Sequence, residues 1–168
     1  FMKKARSARP KQRIVFAEGE EPKIIRAALQ VQDEGIGKPI LIGRPEVIRK
    51  SIASLGLDFS CDIVDPSDFP GYEAYIRAYH ELRERKGITE TQAAKRLREP
   101  NVLGPMMVRM GDADAFVSGL TYEYPEVIRP ALAVVHGAEV PYPYGGKPRV
   151  IMADLDTRAM QARGLSPS

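Results

Sequence analysis

The chain has 168 residues, 43% of them hydrophobic and 28% charged, which is enough for one globular domain with a sizeable core. The formal net charge of +3 is modest, and the basic N-terminal segment lacks interleaved aromatic residues, so we expect no nucleic-acid-binding surface. Since Cys61 is the single cysteine and no apolar run approaches ~18 residues, we expect a cytoplasmic protein without disulfide, thiolate metal cluster, secretory signal or membrane span.

The first part of the sequence alternates short apolar runs with helical patterns. In chain order, these patterns predict a strand at 13–17, a helix from Pro22 to Gly35, a strand at 40–42, a helix from 45 to 55 and a strand at 62–64. Proline in the first turn and glycine after the last turn mark the ends of the first helix.

The next part predicts three further helices and a fourth strand. Five apolar residues at helical spacing mark one face of a helix that ends at Gly87, namely Tyr72, Tyr75, Ile76, Tyr79 and Leu82. Thr89 and Gln92 form a capping-box pattern for a second helix, and we expect Asn101 to cap a third that ends at Gly111. With the strand at 114–117, these patterns predict an α/β protein, three-layer α/β/α with a mainly parallel, doubly wound sheet.

An anion site is the main functional prediction from the residues alone. The strand at 114–117 leads into Ser118, Gly119, Leu120 and Thr121, whose backbone N–H groups and hydroxyls can approach a ligand at the carboxyl edge of the sheet. Pro130 predicts a helix break at Arg129, which would turn the guanidinium toward Ser118–Thr121. The alternative is an ordinary strand-to-helix turn beside a solvated arginine.

Other chemical motifs are weak, and we expect no catalytic and no metal-binding residues. His80 and His136 lack partners at chelating spacing, and we expect both at the surface. Gly35 and Gly37 lie between a helix and a strand, the reverse of the order in a dinucleotide fingerprint. The acids at 18–21 can supply a general base, but at a helix N-terminus we interpret them as structural.

Three segments resemble the phosphate acetyl/butyryl transferase family, namely RIVFAEGEEPKIIRAA, KPILIGRPEVI and VLGPMMVRMGDADAFVSGLTYEYPEVIRPAL. Within that family the chain looks like the C-terminal, phosphotransacetylase-like domain of bacterial NADP-dependent malic enzymes, because GLTYEYPEVIRPAL replaces a GAVHSTADTVRPAL-like stretch. The resemblance implies the first subdomain of the phosphotransacetylase fold, with coenzyme A and acyl phosphate held between two subdomains. It also implies that Ser118, Thr121 and Arg129, with Gly119, contact acetyl-CoA or phosphate.

The resemblance implies a regulatory domain that senses acetyl-CoA and supports homo-oligomer formation, without catalysis of its own. NADP and a divalent metal are then expected in a separate N-terminal malic enzyme domain, which converts malate to pyruvate. Two alternatives stay open, an active phosphate acetyltransferase and a purely structural dimerisation domain. In the last case the tyrosine face of the helix at 72–82 packs against a second subunit, unless it belongs to the chain's own core.

We expect three regions along the chain, a basic linker at 1–12, the α/β domain at 13–136 and a divergent tail at 137–168. The tail predicts a strand at 149–153 and a short helix at 157–163. Asp154 and Asp156 follow that strand, and we assign them no function because isolated acids at a turn are usually caps or solvated charges.

Overall fold

The protein is described by a computed structural model over residues 12–134, and the predicted features at 1–11 and 135–168 lie outside this range. The described part contains four strands, six α-helices and one 3-10 turn. The strands are β1 (Gln12–Phe16), β2 (Gly37–Ile42), β3 (Asp62–Val64) and β4 (Ala115–Val117). The α-helices are α1 (Pro22–Asp33), α2 (Pro45–Ser54), α3 (Tyr72–Arg83), α4 (Glu90–Leu97), α5 (Pro100–Met110) and α6 (Tyr124–Val134), and the 3-10 turn is Glu84–Lys86.

The four strands form one parallel sheet in the order β3-β2-β1-β4. The chain builds outward from β1 to β3 and then returns to place β4 on the other side of β1, where Val15 pairs with Phe116. This reversal of direction creates a switch point between β1 and β4. In open α/β sheets, ligands bind outside the carboxyl ends of strands at such points.

Helices cover both faces of the sheet, which confirms the predicted three layers. Successive strand residues point to opposite faces, so Val15 packs with α3, α4, α5 and α6, whereas Phe16 packs with α1 and α2. Tyr75, Ile76 and Tyr79 are buried in the first of these two clusters. The tyrosine face of α3 therefore belongs to the chain's own core, and the prediction that it packs against a second subunit is wrong.

Two helix ends follow the local rules that the sequence indicated. Thr89 caps α4 in a reciprocal capping box, in which Thr89 Oγ1 accepts from the Gln92 backbone at 3.3 Å and Gln92 Oε1 accepts from the Thr89 backbone at 3.0 Å. Gly111 ends α5 in the left-handed region at φ +82°, where a side chain would be strained. Met110, just before it, is exposed and not part of the buried face.

Two predicted helix ends are wrong, and Asn101 is involved in both. Pro130 lies inside α6 and does not end it, although its ring nitrogen leaves the carbonyl of Glu126 without a helical donor. The side chain of Asn101 supplies the missing donor, since its Nδ2 lies 2.8 Å from Glu126 O. Asn101 lies in the first turn of α5, because the helix begins at Pro100 and Glu99 occupies the cap position.

No helix among residues 12–134 is both long and apolar enough to cross a bilayer. Of the predicted linker at 1–12, only Gln12 is described. It already belongs to β1, where it pairs with Gly37 of β2.

Candidate functional site

The carboxylate of Glu18 fills the turn in which the sequence predicted an anion. Glu18 directly follows β1, and its Oε1 accepts from the backbone N–H groups of Leu120 and Thr121, each at 2.7 Å. The Gly119 N–H lies 3.2 Å from Oε2, and the Thr121 hydroxyl lies 3.2 Å from Oε1. We call Glu18 and the turn 119–121 the Glu18 clasp.

The clasp joins the two strands that border the switch point of the sheet. Ala17 N–H, at the end of β1, donates to the carbonyl of Val117 in β4 at 3.1 Å, which brings the two strand ends together. Gly19 then passes so close to β2 that an added Cβ would lie 2.7 Å from Ile42 O. Gly119 adopts φ +116°, a conformation that side chains disfavour, and its N–H faces Glu18.

The clasp keeps Glu18 ionised although the residue is only 7% exposed. Burial is the largest single influence and raises its pKa, but the backbone N–H groups of Thr121, Gly119 and Leu120 together outweigh it. The pKa of Glu18 is therefore lowered. Ser118 also lowers it, although the buried Ser118 Oγ has no partner of hydrogen-bonding geometry within residues 12–134.

A second acid at the same edge has a structural partner of its own. Glu20 receives two bonds from the Arg44 guanidinium, Nε to Oε1 at 2.9 Å and Nη2 to Oε2 at 2.8 Å, and a third from the Arg44 backbone at 2.9 Å. Arg44 lowers the pKa of Glu20 and fixes the start of α2 beside the end of β1. Both acids thus have structural partners, a turn and an arginine, in place of the α1 dipole that we expected.

A cavity of about 380 Å³ lies between α3, α4, α5 and α6, and its lining contains more basic than acidic side chains. Three arginines line it, Arg83 at the end of α3, Arg96 on α4 and Arg129 on α6. Asn101, Glu99 and Glu126 also line it. We call it the arginine cavity.

Hydrogen bonds within the arginine cavity leave some of its polar groups uncommitted. Arg96 is paired with Glu99 at 3.2 Å, and Oε2 of Glu126 accepts the backbone N–H of Glu123 at 2.8 Å. By contrast, Nε of Arg83 is buried and has no partner among residues 12–134. A buried guanidinium nitrogen without an acceptor is costly to the fold.

Two tyrosines of this region, Tyr79 and Tyr122, have raised pKa values. Burial raises the pKa of Tyr79, while the nearby Arg83 and Arg96 oppose the rise. Burial also raises the pKa of Tyr122, helped by the negative charges of Glu18, Glu99 and Glu126. Acids of both the Glu18 clasp and the arginine cavity therefore act on the pKa of Tyr122.

The structure separates the predicted site residues into two groups. Ser118, Gly119 and Thr121 surround Glu18, whereas Arg129 lines the arginine cavity, whose lining contains none of the other three. The helix break that would have aimed Arg129 at the turn does not occur, because α6 continues through Pro130. The role of these four residues toward a ligand stays a prediction.

Sequence reasoning missed Arg83 and Arg96 as partners of Arg129. Helical spacing offered a signal for the first, since Arg83 follows the buried Tyr79 by four residues on α3 and so continues its buried face. Nothing in the local pattern indicated that α4 and α6 would meet that face. The packing of α3, α4 and α6 against one another brings the three arginines to the same cavity.

The potential metal ligands of the described range do not cluster. No set of three or more His, Cys, Asp or Glu residues within 12–134 is placed to hold a metal ion. His80 is half-buried on α3, and His136 lies outside the described residues.

Comparisons with known proteins agree on one family. The family described as phosphate acetyl/butaryl transferase matches residues 1–140. The phosphate acetyltransferase of Deinococcus radiodurans is 36% identical over 140 residues, covering 82% of this chain and 19% of the relative. The NADP-dependent malic enzyme of Haemophilus influenzae is 44% identical over 119 residues, covering 68% of this chain and 16% of the relative.

A solved structure shares the fold. The crystal structure of a phosphotransacetylase from Streptococcus pyogenes superposes with a TM-score of 0.74 at 32% identity, covering 80% of this chain and 40% of that chain. The chain thus spans well under half the length of these relatives.

Proposed function

This chain belongs to the phosphate acetyl/butyryl transferase family, and we propose that it is a regulatory domain that senses acetyl-CoA within a malic enzyme. The parent reaction is then the NADP-dependent oxidative decarboxylation of malate to pyruvate, with NADP and the divalent metal bound by a separate malic enzyme domain. The malic enzymes among the relatives support this proposal.

The arginine cavity is the observation that carries the ligand part of the proposal. Three permanent positive charges line this cavity, those of Arg83, Arg96 and Arg129, and the charges of Glu99 and Glu126 offset two of them. Guanidinium groups bind phosphate and carboxylate oxygens through paired hydrogen bonds, and coenzyme A carries several phosphate oxygens. The cavity therefore suits a phosphate group of acetyl-CoA better than an uncharged ligand.

Regulation requires more than binding. Acetyl-CoA can shift an oligomer or a conformation only if it binds one state more tightly than the other. The proposal therefore includes a homo-oligomer whose assembly responds to acetyl-CoA, and sedimentation velocity of the purified chain with and without acetyl-CoA measures that response.

Calorimetric titration of acetyl-CoA into the purified chain tests the ligand site. We expect Arg129→Ala and Arg83→Ala to weaken binding by about 10- to 100-fold each, since a hydrogen bond to a charged group contributes about 1.5–3 kcal/mol. Arg49→Ala is the matched control, because Arg49 is exposed on α2, on the other face of the sheet. Absence of binding by the folded wild-type chain rejects acetyl-CoA sensing and leaves a structural dimerisation domain.

The second candidate function is phosphate acetyltransferase activity, which transfers acetyl between coenzyme A and phosphate. Phosphate acetyltransferases cover more of this chain than the malic enzymes do, 82% against 68% for the two relatives described above. Formation of acetyl-CoA from acetyl phosphate and coenzyme A by the purified chain, lost in Arg129→Ala, would support this candidate. Tight acetyl-CoA binding without turnover would favour the sensor.

A further inference from the structure

Arg96 and Glu99 form an accessible ion pair in the lining of the arginine cavity. Their side chains are 56% and 43% exposed, so neither is shut away from solvent. Arg96 lies on α4, and Glu99 follows three residues later at the cap position of α5. A dissolved anion can therefore reach the same guanidinium that the Glu99 carboxylate holds.

The geometry of this pair is that of a weak one. A single nitrogen of Arg96, Nη1, reaches both carboxylate oxygens of Glu99, at 3.2 and 3.3 Å. The Glu20–Arg44 pair differs, because two guanidinium nitrogens bond the two carboxylate oxygens at 2.9 and 2.8 Å. An exposed pair without such paired hydrogen bonds contributes little to stability, so a ligand can separate Arg96 from Glu99 at low cost.

The side chain of Glu99 can leave Arg96 while its backbone stays in place. The Glu99 N–H donates to Arg96 O at 3.0 Å, and the Glu99 carbonyl accepts from the Val102 N–H at 2.9 Å. The side chain makes no cap hydrogen bond to α5. Glu126, the other acid of the cavity lining, differs in this respect, because its carboxylate accepts the Glu123 N–H at the start of α6. Of these two acids, Glu99 is therefore the one that can yield its position to a ligand.

We infer that Glu99 sets the affinity of the arginine cavity as an intramolecular competitor, whose carboxylate holds Arg96 until a ligand phosphate takes its place. Carboxylate and phosphate oxygens bind a guanidinium through the same kind of hydrogen bond, so they compete for it. The competition makes phosphate binding weaker than the three arginines alone would allow. The inference rests on the proposed function, because it concerns the regulation of the same cavity.

Calorimetric titration of inorganic phosphate into the purified full chain at neutral pH tests this role. We expect Glu99→Gln to bind phosphate at least about fivefold more tightly than wild type, which corresponds to about 1 kcal/mol, because the uncharged amide competes weakly for Arg96. Glu90→Gln is the matched control, since it removes the same charge from the exposed first turn of α4, away from the cavity lining. Circular dichroism reports that each variant is folded.

A double-mutant cycle separates competition for Arg96 from simple repulsion of the anion. In Arg96→Ala no guanidinium remains for Glu99 to hold, so adding Glu99→Gln should change the phosphate affinity by less than about twofold. A gain as large as in the wild-type background would mean that Glu99 only repels the anion, which overturns the inference. Weaker phosphate binding by Glu99→Gln also overturns it, because Glu99 would then position Arg96 for the ligand.

The proposed function and this inference can fail separately. Phosphate binding that follows the cycle, with no binding of acetyl-CoA by the wild-type chain, supports the inference and rejects acetyl-CoA sensing. Acetyl-CoA binding that weakens in Arg129→Ala, with no gain in phosphate affinity in Glu99→Gln, rejects the inference alone. Absence of phosphate binding in every variant, Glu99→Gln included, overturns the inference as well.

Discussion

Replacement of Glu18 by glutamine isolates the contribution of the Glu18 clasp to stability. The amide has nearly the shape of the carboxylate, but it keeps only one acceptor oxygen and loses the charge. In the position of Oε1, that oxygen can still accept from Leu120 and Thr121, both at 2.7 Å in the wild-type protein. The amide nitrogen then faces the Gly119 N–H, which loses its bond to Oε2 at 3.2 Å and keeps the longer one to Oε1 at 3.3 Å.

The expected loss follows from these bonds. A hydrogen bond to a charged group contributes about 1.5–3 kcal/mol, and Glu18→Gln removes one such bond and the charge that strengthens the others. Water can reach the exposed turn 119–121, which limits the cost. We therefore expect a decrease of about 2 kcal/mol in the free energy of unfolding at pH 7, or about 1 M in the urea midpoint.

The pH dependence has a defined sign. The pKa of Glu18 is lowered in the folded protein, so the clasp stabilises the fold fully above the unfolded-state pKa of about 4.3. This stabilisation is lost as the pH falls from that value through the folded-state pKa. The difference between wild type and Glu18→Gln should therefore narrow on acidification, because the wild-type carboxyl becomes neutral too.

Urea unfolding followed by far-UV circular dichroism, at pH 7 and at pH values of about 4 and below, measures both effects. Glu21→Gln is the control, since Glu21 lies in the same turn and makes no side-chain cap hydrogen bond. We expect this control to stay within about 0.5 kcal/mol of wild type. A Glu18→Gln protein as stable as the control at pH 7, or a difference that grows on acidification, would refute the reasoning.

Three further substitutions test the packing and the local interactions. Gly104→Ala should destabilise by about 1–3 kcal/mol, because the new Cβ would lie 2.5 Å from Cδ2 of Phe116; a gain in the urea midpoint would contradict this. Glu20→Gln should cost at most about 1 kcal/mol, because the paired Arg44 side chain is 70% exposed; in high salt its unfolding free energy should approach that of wild type, and a loss that persists there would count against it. Thr89→Ala should cost about 1 kcal/mol through the lost capping box, and unchanged thermal unfolding would argue against that cap.

Local patterns were enough to predict most of the secondary structure. The apolar runs of β1 to β4 and the proline, glycine and capping-box signals at helix ends act within a few residues, so they can be read along the chain. They failed at Pro130, where a local rule for helix breaking was overridden from outside the helix. The side chain of Asn101, 25 residues before Glu126, supplies a donor to the Glu126 carbonyl that Pro130 leaves without one.

The candidate site shows the same division between local and tertiary information. The sequence by itself predicted that the N–H groups of the turn after β4 face an anion and that Arg129 is a ligand-binding candidate. Only the tertiary structure decided that the anion at the turn is Glu18, about a hundred residues away in sequence, and that Arg129 joins Arg83 and Arg96. The reason is physical, since strand order and helix packing bring these groups together, and neither is encoded in the spacing of neighbouring residues.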